Sequence, residues 1–281
     1  MKIAYGTYAM PTVRLEEAFP ALARMGYEGV EIFIGAPHLG ALPDQMDGAR
    51  RRRLRDLLRR HSLGLPALFL AGSIYTPSAV EHQANLERMR VCSQLARDLG
   101  LDACPVLAMG FGGSTEDWDS LRDQMVELLH DYAEVAEQED FTLAGEAHCG
   151  AAVDRSQRIV WLLETVNHPR IRFHFDIVHL FLSGEPLEDA VRALVPYTAH
   201  THVTDARKHA DGSFDLLLLG EGELDTTRYM RAMQEAGWEG FITIEVSTRV
   251  WSREDYEPMP AAQHSYNVLS TAFEQAGVPR G

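Results

Sequence analysis

Phe173-His174-Phe175-Asp176-Ile177-Val178-His179 begins as a strand, with β-favouring aromatics at 173 and 175 and polar side chains at 174 and 176 on the opposite face. It ends on a carboxylate, and an imidazole follows three residues later. An Asp at the last position of a buried strand is costly unless something pairs with it, and a metal ion is a common partner at that depth. The plainer alternative has Asp176 capping the next helix while His179 hydrogen-bonds locally. What the neighbouring strands carry bears on the choice.

Working outward, strand-like and helix-like segments alternate along the whole chain. Strands are expected at Lys2–Gly6, Gly29–Ile34, Leu65–Leu70, Ala103–Ala108, Phe141–Glu146, Ile171–Asp176, Thr198–Val203 and Phe241–Glu245. Helices are expected over Arg14–Met25, Gly48–His61, Ala79–Leu99, Glu116–Gln138, Arg155–Val166, Leu187–Leu194, Thr226–Ala236 and Ala261–Ala276, with Gly26, Gly100 and Gly237 as stops. Eight βα units in 281 residues fit a single-domain α/β (β/α)8 TIM barrel. A doubly wound sheet is the competing arrangement, but no Gly-rich first turn supports it. No linker or composition break divides the chain, so one domain spanning 1–281 is expected. Two loops exceed what the scaffold needs, Ala36–Asp47 and Asp205–Leu224; the second holds Gly220-Glu221-Gly222-Glu223, read as turn chemistry.

The formal net charge is −15, from 26 Lys plus Arg against 41 Asp plus Glu. Such a chain repels phosphate backbones and anionic membranes at long range, which disfavours nucleic acid as a partner. The run Arg50-Arg51-Arg52-Arg53-Leu54-Arg55 reads as the solvated face of a helix, because Leu54, Leu57 and Leu58 fall at helical spacing. No apolar window of about 18 residues predicts a membrane span. The N-terminus reads as a strand start rather than a signal peptide, and three cysteines without a CxxC pair fit a reducing, cytoplasmic setting.

In a barrel, reactive groups belong at the C-terminal strand ends. Alternation puts Glu146 and His148 on one side of the fifth strand, His174 and Asp176 on one side of the sixth, His200 and His202 on one side of the seventh, and Thr243 and Glu245 on one side of the eighth. Glu146, Asp176, His202 and Glu245 then make three carboxylates and one imidazole at one rim. The set is oxygen-rich and free of thiolate, which favours Mn²⁺, with Mg²⁺ or Co²⁺ as alternatives, over a structural zinc site. Three carboxylates converging without a cation would raise one another's pKa, so the cluster argues for bound metal. The competing explanation is a network that only ties strand ends together.

Over nearly its whole length the chain resembles the xylose-isomerase-like TIM barrels, the sugar-phosphate isomerase/epimerase group that also contains D-tagatose 3-epimerase-like enzymes, hydroxypyruvate isomerases and inosose dehydratases. The resemblance rests on Gly145-Glu146-Ala147-His148, Phe175-Asp176-Ile177-Val178-His179, His200-Thr201-His202-Val203-Thr204-Asp205, Gly220-Glu221-Gly222-Glu223-Leu224-Asp225 and Thr243-Ile244-Glu245. It implies one divalent metal on Glu146, Asp176, His202 and Glu245, and a substrate contact from His179. In the epimerases an Arg used in clamping substrate stands six residues after the metal-binding His; that position here is Lys208, with Arg207 beside it, so these two are the expected substrate contacts on that loop. A homodimer or tetramer is implied by the family alone.

The mechanism so implied is proton abstraction next to a carbonyl of a sugar or related hydroxy-ketone, through a metal-stabilised enediolate. No loop presents a clear phosphate cradle, so an unphosphorylated sugar or polyol is expected. Glu146 and Glu245 would be the catalytic pair on opposite faces of the substrate, with His179 and His148 binding hydroxyls. His148 has an equal alternative as a support for Glu146. Glu31 could face the mouth and contact substrate, but a solvent or core-rim role is expected; Trp118, Trp251, Tyr5 and Phe111 could wall the site, but packing is expected of each. A lyase or dehydratase on a cyclic polyol would start from the same enolate and expel a β-substituent. An endonuclease-IV-like site would need extra histidines on strands two and three, and Leu68-Phe69-Leu70-Ala71-Gly72 offers none. A barrel that only binds a sugar has little use for paired bases.

Overall fold

The computed structural model describes residues 1–101 and 104–281. Eight parallel strands close in the order β1-β10-β7-β6-β5-β4-β3-β2, with ranges β1 Lys2–Gly6, β2 Gly29–Ile34, β3 Leu68–Ser73, β4 Val106–Gly110, β5 Thr142–Glu146, β6 Ile171–Asp176, β7 Thr198–Val203 and β10 Phe241–Ile244. The expected TIM barrel is therefore the fold. Strand three starts three residues later than its hydrophobic run suggested, because Pro66 has no N–H for the ladder. Strand four likewise starts after Pro105, and the expected first residue, Ala103, lies outside the described residues.

Outside the strands lie helices α1 Leu15–Met25, α2 Gly48–Arg60, α3 Ala79–Asp98, α4 Trp118–Gln138, α5 Ser156–Val166, α6 Ile177–Leu182, α7 Leu187–Leu194, α8 Thr226–Glu235, α9 Thr248–Trp251 and α10 Pro258–Ala276. Asp47, Ser78, Asp176 and Asp225 each cap a helix by accepting a backbone N–H into the side chain. The arginine run is the outer face of α2: Leu54 and Leu58 are buried, while Arg50 pairs with Glu16 and Arg51 with Asp98, both at 2.7 Å. Among the described residues no helix is long and apolar enough to cross a membrane.

The barrel wall separates two apolar regions of very different size. Outward-facing Ile3, Val30, Ile32, Leu107, Leu143, Phe173, Phe175, Ile242 and Ile244 join the helices in the main core. The interior holds only a small cluster of Phe33, Phe69, Ala108 and Ala144. Much of the remaining interior is polar and buried: Glu31, Glu146, His174, His200, His202 and Thr243. Unpaired groups at that depth are expensive, so this chain has given up core packing to hold a site.

The long segment after β7 is not a plain loop, as the sequence suggested, but an antiparallel hairpin of β8 Asp205–Lys208 and β9 Phe214–Leu217. Asp205 organises the chain leaving this hairpin. Its Oδ2 accepts from Gly220 N and Gly222 N at 2.9 and 3.0 Å, and its Oδ1 from Ala206 N and Leu224 N at 2.8 and 3.0 Å. A Cβ on Gly222 would lie 2.2 Å from Asp205 Oδ1, so only glycine allows the approach.

Candidate metal centre and cavity

Strand register builds the site. Asp176 is paired with His202, and His202 with Thr243, while the Glu245 N–H donates to the Val203 carbonyl at 3.1 Å. Gly110 opposite Glu146 and Glu146 opposite His174 set the fifth strand at the same height. Side chains alternate along each strand, so Glu146, Asp176, His202 and Glu245 meet at the C-terminal rim, where one ligand atom from each lies within 4.8 Å of all the others.

The pairwise geometry is poor for hydrogen bonding. His202 Nδ1 stands 3.3 Å from Glu146 Oε1 and 3.6 Å from Glu245 Oε2. Both oxygens of Glu146, Oδ2 of Asp176 and Nδ1 of His202 are buried without a hydrogen-bond partner among the described residues. Buried polar atoms normally find partners. Four orphans converging from three strands, with Glu245 just beyond the end of a fourth, match the oxygen-rich donor set that a hard divalent cation takes. The residues fit such a group.

The charges are under tension in a way a cation would relieve. Burial, then the Glu245 and Glu146 charges, raise the Asp176 carboxyl well above the ordinary range. Burial also works to raise Glu146, but His174, His148 and His202 outweigh it and hold that carboxyl well below. Burial would lower His202, yet Glu31, Glu245 and Glu146 lift it well above the usual histidine value. Opposed shifts in adjoining groups are typical of functional sites.

A second layer lies deeper. Glu31, expected at the rim, is instead wholly buried, and its Oε2 accepts from His200 Nε2 at 2.6 Å and His202 Nε2 at 2.8 Å. Alternation along β2 shows that Glu31 faces inward, but nothing local reveals a partner 169 residues away. Thr204 was also missed: its hydroxyl is 3.3 Å from Glu245 Oε2 and donates to it.

Above the cluster opens a cavity of about 620 Å³ whose lining includes Glu245, His148, Tyr8, Phe33, Phe69 and Trp251. His148 Nε2 is 3.3 Å from Glu146 Oε2, so this imidazole both faces the cavity and covers the buried carboxylate. His179 is set back, its ring 4.4 Å from that of His148 and its Nε2 3.8 Å from Asp176 Oδ2. Burial, then His148, push His179 down to about 3, so it is neutral at ordinary pH. Trp251 walls the cavity, whereas Tyr5, Phe111 and Trp118 pack in the main core.

Arg207 and Lys208 are not brought to this cavity. Both are exposed on β8; Arg207 Nη2 donates to the Glu221 carbonyl at 2.7 Å, and Lys208 Nζ sits 4.1 Å from the centre of the Phe181 ring. The hairpin explains the difference: β8 runs on past the barrel strand β7 and leaves both residues exposed, away from the cavity lining, and sequence spacing from His202 carries no information about that course.

A family model described as xylose isomerase-like TIM barrel matches residues 19–271. Fructoselysine 3-epimerase of Escherichia coli O157:H7 is 24% identical over 279 residues, covering 92% of this chain and 96% of that protein. An inosose dehydratase of Clostridium perfringens is 23% identical over 146 residues, 46% of this chain and 47% of that protein. In three dimensions the chain is similar to IolI, solved with a bound zinc atom, at a TM-score of 0.80 and 15% identity, covering 99% of this chain and 98% of that one. At that identity the likeness speaks for the fold.

Proposed function

The chain belongs to the xylose isomerase-like TIM barrel family, and from that premise we propose that it is a divalent-metal-dependent isomerase or epimerase of a sugar or related hydroxy-ketone. The observation that carries this reading is the set of orphaned atoms on Glu146, Asp176 and His202 facing Glu245 beneath an open cavity. Those four side chains would hold the cation. When bound, it supplies Lewis acidity that makes a carbon-bound hydrogen beside a carbonyl easier to remove.

The chain's own residues do the rest. Glu245 borders the cavity, and its carboxylate takes the proton from the carbon next to the carbonyl; the electron pair moves onto the carbonyl oxygen. A proton carried by the Glu146–His148 pair returns from the other side of the substrate. Return to the same carbon inverts it; return to the former carbonyl carbon moves the carbonyl, the hydroxyl proton of the first carbon passing to the other oxygen. His148 then takes a proton from solvent through the cavity and Glu245, on the same cavity, releases its own, so both groups return to their starting states. Among the described residues the cavity lining includes no Lys or Arg, which supports an unphosphorylated substrate.

A lyase is the second reading. His148 faces the cavity on the Glu146 side, placed to pass a proton to a departing hydroxyl. Proton NMR in D₂O on a panel of ketoses, keto-acids and inososes, with Mn²⁺ and then with EDTA, separates the two. The isomerase reading expects single deuteration without loss of a group, abolished by EDTA. Glu146→Gln and Glu245→Gln should each lose about 10²–10⁴-fold in turnover, the usual worth of a positioned acid or base. Near-normal rates in both variants would end the two-carboxylate scheme, and a new double bond in the product would assign the lyase.

A further inference from the structure

We infer that Glu31 is the positioning residue that turns the Nδ1 edge of His202 toward the cation, through a buried His200–Glu31–His202 relay that crosses the barrel. This rests on the proposed metal site and adds to it a support from the opposite wall.

The sequence places Glu31 on β2 and both histidines on β7; in the strand order β1 and β10 stand between them on the shorter way round. The contact therefore spans the interior rather than a ladder. Glu31 is 0% exposed. Its Oε2 is 2.6 Å from His200 Nε2 and 2.8 Å from His202 Nε2. An ionised carboxylate only accepts, so both Nε2 atoms are the protonated ones. Each ring nitrogen of a histidine is fixed by the bond the other makes. With Nε2–H committed to Glu31, Nδ1 is the atom left for a cation, and it is the one that faces Glu146 and Glu245.

Two further details support a built device. Gly6 makes room for the carboxylate, since a Cβ there would lie 2.9 Å from Glu31 Oε1. His200 sits one inward-facing position below His202 on the same strand and holds the carboxylate from beneath, so Glu31 is clamped before it meets His202. A tie that merely joined two walls would need neither the particular nitrogen nor the vacant Nδ1. A buried carboxylate is also a costly way to join walls that an apolar pair would join more cheaply.

Zn²⁺, a diamagnetic probe, allows a direct test on the whole chain. In a ¹⁵N–¹H multiple-bond spectrum of the zinc-loaded wild type, with His202 assigned by its loss in His202→Asn, Nε2 should be protonated and Nδ1 metal-bound. Glu31→Leu should weaken zinc binding by roughly 10- to 100-fold, the usual cost of losing a support behind a metal ligand. Glu31→Gln keeps an acceptor for both N–H groups, so it should retain the tautomer and lose less than the lower end of that range. Metal on Nε2 would overturn the inference whether or not any variant folds. So would a folded Glu31→Leu, judged by circular dichroism and melting, that binds zinc like the wild type. A wild type that binds no zinc would instead remove the metal site itself and the relay with it.

Discussion

Asp176 divides its two oxygens between a helix and the cluster. Oδ1 accepts from Val178 N–H at 3.0 Å and caps α6, while Oδ2 is buried without a hydrogen-bond partner among the described residues. The cap, one of the two alternatives open from sequence, is thus present, and Oδ2 is the atom that the proposed metal would take. Asn caps as well as Asp but offers the cluster a neutral oxygen. Asp176→Asn should therefore keep the melting temperature while cation affinity, read by titration calorimetry, falls beyond the roughly 10- to 100-fold of a lost supporting bond. Unchanged affinity would mean that Asp176 is only a cap. At this scale the four rim groups were legible because each strand has a period of two and ends in an ionisable residue. Glu31 and Thr204 were not, since their roles depend on partners 171 and 41 residues away.

Elements with strong periodicity were read to within one to three residues, and the misses share physical causes. Pro66 and Pro105 push β3 and β4 toward their C-terminal ends, because a ladder needs N–H donors that proline lacks. α6 and α9, of 6 and 4 residues, are too short to show a helical repeat. The β8–β9 hairpin hid inside a Gly- and Asp-rich stretch whose ordering comes from one side chain, Asp205, reaching four backbone N–H groups. Missing the hairpin misplaced Arg207 and Lys208. A residue count from His202 could not register that a hairpin leaves both residues exposed and off the cavity lining.

Taken whole, the molecule should weaken in alkali, for a reason outside the site. Burial is the first cause that pushes Tyr132 and Tyr256 up to about 12 from an ordinary value of 10.0, and it holds Tyr5, Tyr27 and Tyr229 well above that value. A raised folded-state pKa means the folded chain keeps protons that the unfolded chain releases. That stability is fully present below pH 10 and is lost as pH rises toward 12, at about 1.4 kcal/mol per pH unit for each such group. Urea midpoints should fall steeply across that window, with the phenolate absorbance of these five tyrosines appearing only as the chain unfolds; their phenolate signal at pH 10 in a folded chain would refute it. The same economy governs the interior. The barrel holds buried carboxylates and imidazoles beside a small apolar cluster, and the proposed cation would join those at the rim. The direct measurement is anomalous diffraction at the manganese edge from a crystal grown with Mn²⁺. One peak is predicted, roughly 2.0–2.6 Å from oxygens of Glu146, Asp176 and Glu245 and from Nδ1 of His202. A map with no peak among those four atoms, or with the ion held elsewhere, would contradict the account.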